Sequence, residues 1–484
     1  MNADRANLPL VSALQHWATH DYAPFHTPGH KRGQGSYPQF LDLIGTTALQ
    51  ADLPELPDLD NLFAPQGVID QAQKLAAATF GAEHTYFLAN GSTGGIIAAI
   101  LATCQPGDKI ILPRNVHQSI ISGLILAGTT PIFVMPEYDR RLNIAHGVSA
   151  DAIAQTIQKH PNAKAVLIIH PTYYGVCSDI RKIVQITNQA NIPLIVDEAH
   201  GAHFHFHPEL PTSAMAAGAD IAIQSTHKTL SALTQAAMLH LQGSRIDPDR
   251  IRRSLSLIQS TSPNYLLLAS LDAARAQMAT TGAGQLTQTL SHVDEARKIL
   301  ASIPHIHTLT FDTPQLGWQE FDRTRLTVTV AQLGLNGFTA DEILSDEYNV
   351  MCELPSLEHL TFIFSIGTTA AHVDRLVTGI QGLADREQRS PPITSPPFDH
   401  SPSPAELSPR EAFFATPHTL PTDQAIGHIS AELICPYPPG IPVLLPGETI
   451  TADAIAFLQT VQRSGGMISG CSDPELHSLQ VISQ

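Results

Sequence analysis

The segment between His84 and Gly243 limits the possible folds of this chain more than any other feature of its sequence. Short apolar runs such as KIILPRN, KAVLIIH and IPLIVDE alternate there with longer helical patterns such as DIRKIVQITNQA. This alternation is typical of βαβ units, and strands that are apolar along their whole length are typical of parallel sheets covered on both faces. The sequence therefore predicts an α/β fold with a mostly parallel sheet, in which ligands bind where the strands end.

The 484 residues exceed what a single hydrophobic core usually organises, since cores stop growing at roughly 250–300 residues. We expect an N-terminal arm at residues 1–60, a large domain at 61–275, a small α+β domain at 276–385, a linker at 386–409 and a C-terminal α+β domain at 410–484. The linker is predicted from the run REQRSPPITSPPFDHSPSPAELSPR, because prolines and serines at this density favour extended conformations that do not pack.

Charge and cysteine usage narrow the possible partners. The 44 acidic and 27 basic residues give a formal net charge of −17, which repels nucleic acid and anionic lipid and tolerates or mildly attracts a small cationic substrate. The sequence has no apolar stretch of about 18 residues, so we expect no membrane partner. The five cysteines are scattered without a CxxC pair, which argues against a disulfide framework or a zinc knuckle and favours a cytoplasmic location.

Two residues with reactive side chains follow apolar strands of the predicted sheet. Asp197 ends the run IPLIVD, and Lys228 comes shortly after the run ADIAIQS. We expect both to reach one crevice, where a desolvated lysine can attack an aldehyde and a buried carboxylate can keep a pyridine nitrogen protonated. For each residue alone, the alternative is structural: a surface lysine at a helix start, and an aspartate that caps a strand end.

A glycine-rich turn, NGSTGG at residues 90–95, lies between a predicted strand and a predicted helix. Backbone N–H groups at a helix start, together with the hydroxyls of Ser92 and Thr93, are suited to a phosphate group. The turn is not a nucleotide-binding Walker A loop, because no lysine follows it in the GK[ST] pattern. An ordinary helix N-cap formed by Ser92 or Thr93 is the structural alternative.

Histidines provide a further set of candidates. His117 follows the strand KIILPRN, where its ring can stack on a flat cofactor over the same crevice. His203, His205 and His207 alternate in HFHFH and would share one face of an extended backbone, a geometry compatible with metal ligation. A metal-dependent hydrolase is therefore an alternative function. We nevertheless expect no metal, because the sequence places no convincing fourth ligand.

Eight sequence blocks occur in the order found in a known family: TPGHKRG, FLANGSTGG, RNVHQS, DEAHGAHF, QSTHKTL, TSPNYLLLASLD, LSPREAFFA and PYPPGIPVLLPGE. On these blocks, from about residue 20 to the C-terminus, the chain resembles the bacterial Orn/Lys/Arg decarboxylases. It looks like their shorter members, which lack an N-terminal wing domain. The resemblance implies the aspartate-aminotransferase-like (type I) fold of pyridoxal 5′-phosphate (PLP) enzymes, with a central, mostly parallel seven-stranded sheet and PLP as the cofactor.

The resemblance also implies a role for each candidate residue. Lys228 would hold PLP as a Schiff base, and Asp197 would pair with the pyridine nitrogen. His117 would stack on the cofactor ring, and Ala199 would pack under it. The phosphate would be bound by Ser92, Thr93, Gly94, Ser225 and His227. His200 would lie near the 3′ oxygen of the cofactor or the carboxylate of the substrate. Thr261 or Ser262 would reach the phosphate of a neighbouring subunit. Glu353 would lie near the distal amine or guanidinium of the substrate.

The implied reaction is decarboxylation of a basic amino acid, a small molecule, to carbon dioxide and the corresponding amine. Lysine and arginine, which give cadaverine and agmatine, are favoured over ornithine, which gives putrescine. Lys228 or His227 would return a proton to Cα. An aminotransferase, another Cα-lyase or a catalytically silent PLP-binding protein remains an alternative, because one fold hosts several reactions. A phosphate contact across subunits implies a homodimer or a larger homo-oligomer.

Overall fold

The structure is a computed structural model that describes residues 5–386, 407–437 and 440–483. Most of the predicted linker, residues 386–409, lies outside these ranges. The α-helices of the described residues are α1 (Pro9–Thr19), α2 (Pro38–Ile44), α3 (Thr46–Ala51), α4 (Val68–Phe80), α5 (Gly91–Thr103), α6 (Gln118–Ala127), α7 (Ala150–Lys159), α8 (Ile180–Gln189), α9 (Ala214–Ala217), α10 (Thr226–Thr229), α11 (Pro248–Ile258), α12 (Tyr265–Thr280), α13 (Gly282–Leu300), α14 (Gly337–Tyr348), α15 (Ala370–Ala384), α16 (Pro409–Phe414), α17 (Thr422–Ala425) and α18 (Ala452–Arg463).

Strands and 3₁₀ helices complete the secondary structure. The strands are β1 (His84–Leu88), β2 (Lys109–Pro113), β3 (Thr130–Val134), β4 (Tyr138–Asp139), β5 (Ile144–Ala145), β6 (Ala165–Ile169), β7 (Val176–Cys177), β8 (Leu194–Asp197), β9 (Ile221–Gln224), β10 (Ala237–Leu241), β11 (His307–Thr308), β12 (Glu320–Phe321), β13 (Arg325–Thr329), β14 (Leu354–Pro355), β15 (His359–Ile363), β16 (Pro417–Pro421), β17 (Ile429–Ser430), β18 (Cys435–Tyr437), β19 (Met467–Ser469) and β20 (Ser478–Ile482). The 3₁₀ helices are Pro57–Leu59, Phe204–Phe206 and Ala331–Leu333.

The central sheet has seven strands in the order β1-β10-β9-β8-β6-β2-β3. The pairs β2–β3, β2–β6 and β8–β9 are parallel, whereas β10 runs antiparallel to both β9 and β1. Strands β8, β9 and β10 are buried along their whole length, which is why all but one residue of each is apolar. The predicted α/β fold with a mostly parallel seven-stranded sheet is confirmed.

The first of two compact units comprises Met1–Ala102 and Ile195–Leu286. It contains β1, β9, β10 and most of β8, and its helix α12 anchors the N-terminal residues. The fully buried Asp272 accepts a hydrogen bond from the backbone N of Leu10 at 3.1 Å, and the fully buried Arg275 donates to the carbonyl of Arg5 at 2.7 Å. A buried ion pair between Asp272 and Arg275 thereby also fixes helix α1.

The second unit comprises Thr103–Leu194 and Thr287–Gln484. It contains β2, β3 and β6, and also a four-stranded antiparallel sheet in the order β11-β13-β15-β14. Apolar side chains of that sheet and of helices α14 and α15 form one core, with Leu326, Leu344, Leu360 and Ile380 fully buried. Nearer the C-terminus, the sheet β16-β20-β17 and helix α18 share a second core.

Within residues 5–386, 407–437 and 440–483, no helix combines the length and apolarity that crossing a membrane requires. The five segments expected from the sequence stay a prediction.

Candidate active site

Asp197 and Lys228 belong to neighbouring strand ends of the first unit. Asp197 is the last residue of β8, and Lys228 lies on the single-turn helix α10 that follows β9. Because β8 and β9 are parallel neighbours, with Asp197 opposite Ile223, both side chains start from the same edge of the sheet. Asp197 is 7% exposed. Burial raises the pKa of its carboxyl, and the positive charge of Lys228 opposes that rise.

His200 contacts the lysine directly. Its Nε2 lies 3.0 Å from Lys228 Nζ, and its side chain is buried. The turn that carries His200 begins at the end of β8, where the backbone N of Ala199 donates a hydrogen bond to Asp197 Oδ1 at 3.2 Å. One short turn therefore orients the carboxylate and also places an imidazole against the amine.

The glycine-rich turn forms the first turn of helix α5, which begins at Gly91. Ser225 Oγ donates a hydrogen bond to Ser92 Oγ at 2.7 Å, so the turn after β1 and the turn after β9 present their hydroxyls together. Gly95 permits this close approach. A Cβ there would lie 2.6 Å from Leu88 Cδ1 and 3.0 Å from Ile223 Cγ2. First-turn N–H groups of a helix have no intrahelical acceptor, so this turn can bind an anion.

Two hydroxyls near Lys228 that lack hydrogen-bond partners in the described part of the chain show whether these residues fit PLP. Thr226 Oγ1 and Thr229 Oγ1 are buried and have no hydrogen-bond partner among the described residues. Most buried hydroxyls in folded proteins have such a partner, so helix α10 has spare hydrogen-bonding capacity on both sides of the lysine. The aldehyde of PLP requires a lysine, and its pyridine nitrogen requires a buried carboxylate. Its phosphate requires donors such as a helix start and a pair of hydroxyls. The residues fit the cofactor.

His227 precedes the lysine, and its neutral ring is fixed in one tautomer. Its Nδ1 donates a hydrogen bond to the carbonyl of Ala236 at 3.0 Å, which leaves a lone pair on Nε2. Burial lowers the pKa of His227, and the positive charge of Lys228 lowers it further. A neutral imidazole at this position can accept a proton or a hydrogen bond at Nε2.

His117 and Glu353 belong to the second unit. His117 is the N-cap of helix α6, where its Nδ1 accepts a hydrogen bond from the backbone N of Ser119 at 3.2 Å. The proton of a neutral ring is then on Nε2. Glu353 is exposed in the segment before β14, and its backbone N donates to the carbonyl of Thr361 at 3.0 Å.

Thr261 and Ser262, in the first unit, are exposed at the surface just before helix α12. The backbone N of Ser262 donates to Ser260 Oγ at 3.1 Å, which forms a tight local turn. Their exposure leaves both hydroxyls accessible to another molecule.

The three alternating histidines do not have the extended geometry that the metal hypothesis requires. Residues Phe204–Phe206 form a 3₁₀ helix, His203 is buried and His205 is exposed. Across the part of the chain that the structure describes, no group of three His, Cys, Asp or Glu side chains could hold a metal ion. The metal alternative depends on an extended backbone at HFHFH, and the 3₁₀ helix there does not provide it.

A buried polar chain, missed in the sequence, runs from Glu198, just after β8, across strands β9 and β10 to β1 in the first unit. Gln224 Nε2 donates to Glu198 Oε2 at 2.7 Å, His240 Nε2 donates to Gln224 Oε1 at 3.0 Å, and Thr85 Oγ1 donates to His240 Nδ1 at 2.8 Å. Burial raises the pKa of Glu198 to about 8 and lowers the pKa of His240 to about 3. The signal for this chain in the sequence was the polar residues within otherwise apolar runs, as in AMLHL and HTYFL.

A cavity of the second unit holds an acidic side chain that was also missed. It has a volume of about 160 Å³ and is lined by Tyr138, Tyr174, Phe338 and Phe457 together with Glu358. Glu358 Oε1 accepts a hydrogen bond from Asn143 Nδ2 at 3.1 Å. A carboxylate among aromatic rings suits an organic cation, so Glu358 is a second acidic candidate beside Glu353.

Comparisons with known proteins agree with this chemistry. The profile "Orn/Lys/Arg decarboxylase, major domain" matches residues 8–377, and "Orn/Lys/Arg decarboxylase, C-terminal domain" matches residues 397–482. The chain is 40% identical to an arginine decarboxylase of Halalkalibacterium halodurans over 98% of both chains.

Solved structures give the same fold. The lysine decarboxylase LdcF of Francisella novicida superposes with a TM-score of 0.84 at 21% identity, over 99% of this chain and 82% of that one. An alanine–glyoxylate aminotransferase of Nostoc sp. superposes with a TM-score of 0.54 at 15% identity, over 75% of this chain and 97% of that one. The chain therefore belongs to the Orn/Lys/Arg decarboxylase family, and it is a PLP-dependent decarboxylase of basic amino acids.

Proposed function

We propose that the protein decarboxylates arginine to agmatine and carbon dioxide. The observation that supports arginine over lysine and ornithine is the 40% identity to an arginine decarboxylase across nearly the full length of both chains. The sequence alone favours lysine and arginine equally. The geometry at Lys228 supports the reaction for all three amino acids, because their side chains differ only far from Cα.

We propose Lys228 as the residue that binds the cofactor aldehyde and Asp197 as the partner of the pyridine nitrogen. The 3.0 Å contact between Lys228 Nζ and His200 Nε2 supports the first role, because a neutral imidazole can take a proton from the amine. The buried position of Asp197 supports the second, since a carboxylate in low dielectric gains most from a cationic partner.

The phosphate is proposed to lie at the start of helix α5. Its ligands would be Ser92 and Thr93 of that turn, beside Gly94, whose backbone N donates to the carbonyl of Asn90 at 3.3 Å. Ser225 of the turn after β9 would join them, as would His227 once its Nε2 carries a proton. The 2.7 Å hydrogen bond between Ser92 and Ser225 supports this proposal, because it brings hydroxyls of both turns together. Ala199 is proposed to pack under the cofactor ring, and His117 to stack on it.

Bound PLP supplies the acceptor for the electron pair that remains when carbon dioxide leaves. The side chains of the protein would then hold and transfer the protons that the reaction requires. Asp197 would hold the proton on the pyridine nitrogen. Lys228 Nζ, or His227 Nε2 once it has taken up a proton, would return a proton to Cα of the product. His200, beside Lys228, would keep the amine oriented between these steps. It would lie near the carboxylate of the substrate or the 3′ oxygen of the cofactor.

The distal guanidinium of arginine needs an acidic partner, and we propose Glu353. Its exposure leaves the carboxylate accessible to a substrate that enters from solvent. Glu358, in the cavity of the second unit, is the alternative partner.

We also propose a homodimer or larger homo-oligomer, in which Thr261 or Ser262 completes the phosphate site of a neighbouring subunit. The exposure of both residues supports this proposal. A cytoplasmic location stays a prediction from the cysteine usage.

A substrate panel tests the proposed function. The purified protein is loaded with PLP and supplied separately with arginine, lysine and ornithine, and carbon dioxide, amine and keto acid are quantified. We expect agmatine and carbon dioxide from arginine, with kcat/KM at least about tenfold higher than for lysine, since a missing hydrogen-bonding group is strongly discriminated. A preference for lysine would overturn the choice of substrate. Formation of keto acid without carbon dioxide would contradict decarboxylation. The variant Lys228→Ala serves as the inactive control.

A further inference from the structure

A buried arginine joins the His117 segment to the C-terminal part of the second unit. Arg114 follows β2, lies three residues before His117 and is 3% exposed. Its Nη1 donates to the carbonyl of Pro442 at 2.9 Å, and its Nη2 donates to the carbonyl of Val443 at 3.2 Å. The guanidinium also lies over the ring of Phe133, 5.6 Å from the centroid. Arg114 is thus held by two successive carbonyls of one loop.

The same guanidinium forms a buried ion pair. Arg114 Nη2 lies 2.9 Å from Glu448 Oε2, and both side chains are no more than 4% exposed. Glu448 Oε2 also accepts a hydrogen bond from the backbone N of Leu445 at 3.0 Å, which closes a turn on its own loop. Burial raises the pKa of Glu448, and Arg114 opposes that rise. Loss of either partner would leave an uncompensated buried charge, so the pair fixes the loop firmly.

The loop reaches His117 itself at Gly440. The backbone N of Gln118 donates to the carbonyl of Gly440 at 3.2 Å, and a Cβ on Gly440 would lie 3.6 Å from His117 Nε2. The Nδ1 edge of the ring is occupied by the helix cap to Ser119. The Nδ1 edge of the imidazole is therefore held by its own helix, and the Nε2 edge faces Gly440 of the C-terminal loop across a space that one added methyl group would fill.

We propose that Arg114 and Glu448 are positioning residues for His117. The ion pair locks residues 440–448 against the start of helix α6, and this contact sets the orientation of the His117 ring. The inference rests on the proposed function, in which that ring stacks on PLP. A C-terminal loop more than 300 residues away in the sequence would then determine how well the cofactor is held.

A second contact of the same kind provides a matched control. Arg410 Nη1 donates to the carbonyls of Ile125 and Leu126, both at 2.9 Å, at the opposite end of helix α6. Arg410 therefore also joins the C-terminal part of the chain to α6, but away from His117. Arg410→Met removes two arginine–carbonyl hydrogen bonds of an exposed side chain without touching the loop at Gly440.

The experiment compares Glu448→Gln and Arg410→Met with the full-length wild-type protein. In the apoprotein, the rate at which diethyl pyrocarbonate modifies His117 is measured by peptide mapping. In the PLP-loaded protein, circular dichroism of the cofactor band and the rate of PLP release are measured, with His117→Ala as the reference. Arg114→Lys is a second variant that keeps the charge but loses the paired hydrogen bonds, in case Glu448→Gln folds poorly.

We expect Glu448→Gln to raise both His117 modification and PLP release on the order of fivefold, as for a moderate coupling between two sites, and to change the dichroism as His117→Ala does. Arg410→Met should lower the melting temperature without either effect. Unchanged modification of His117 in Glu448→Gln, or equal changes in both variants, would overturn the inference. If His117→Ala itself leaves the dichroism unchanged while the modification rates still differ, the positioning holds and the stacking role of His117 fails.

Discussion

Lys228 Nζ lies 3.0 Å from His200 Nε2, and this contact is formed across the ends of two neighbouring parallel strands. It pairs the amine that would bind the cofactor with a buried imidazole. The acceptor and the donor come from different turns, so the geometry of the sheet sets the contact. Its loss should affect catalysis more than folding.

Replacing His200 with phenylalanine keeps a ring but removes the acceptor. We expect PLP to bind, and kcat to fall about tenfold to a hundredfold, because a hydrogen bond to a charged group is worth about 1.5–3 kcal/mol. The measurement is steady-state kinetics with the pH titration of the cofactor absorbance. An unchanged kcat and titration would show that the contact has no role in the reaction.

Asp197→Asn should bind PLP but lose catalysis. The amide cannot stabilise a protonated pyridine nitrogen, so kcat should fall by about 10²–10³, the usual cost of removing one preorganised electrostatic group. Single-turnover kinetics on the loaded protein measure this loss. The matched control is Asp220→Asn, since Asp220 is also buried but binds Arg245 through two hydrogen bonds of 2.7 Å. If both variants lose the same activity, Asp197 has no special role.

Glu198→Gln should change the pH dependence of stability. Burial raises the pKa of Glu198 from 4.5 to about 8, so folding favours the protonated carboxyl. The free energy of unfolding of the wild-type apoprotein should therefore decrease as the pH rises from about 5 to 8, by on the order of 2–4 kcal/mol from this group. Glutamine does not titrate and should remove that decrease. Denaturant unfolding at several pH values tests this, and parallel curves for both proteins would contradict it.

Glu353→Gln and Glu358→Gln form a matched pair at the substrate end. If Glu353 binds the guanidinium, its neutralisation should raise KM for arginine about tenfold while kcat changes little, the pattern for lost uniform binding. Glu358→Gln should then leave KM nearly unchanged. The reverse result would move the guanidinium to the cavity that Tyr138 and Tyr174 line.

The sheet could be predicted because its central strands are almost entirely apolar, and the reactive residues because they lie at or just after the ends of those strands. The shared face that the metal alternative requires of His203, His205 and His207 exists only in an extended backbone, and Phe204–Phe206 form a 3₁₀ helix instead.

Long-range polar contacts could not be predicted in the same way. Glu198 reads as a charged residue next to Asp197, yet it is completely buried, and Gln224 and the backbone N of Ala214 both donate to it. Arg114 and Glu448 are 334 positions apart, and neither belongs to a periodic pattern. Such pairs are defined by the folded chain, so local sequence carries little information about them.

Trapping the cofactor on the protein tests directly whether Lys228 is the residue that binds it. The PLP-loaded protein is reduced with borohydride, digested and analysed by mass spectrometry, with Lys228→Ala and Lys182→Ala treated in parallel. Lys182 is a control lysine that pairs with Asp151 in the second unit. We expect the reduced cofactor on the peptide that contains Lys228, in the wild type and in Lys182→Ala but not in Lys228→Ala. Cofactor on a different lysine in the wild type, or none at all, would contradict the account.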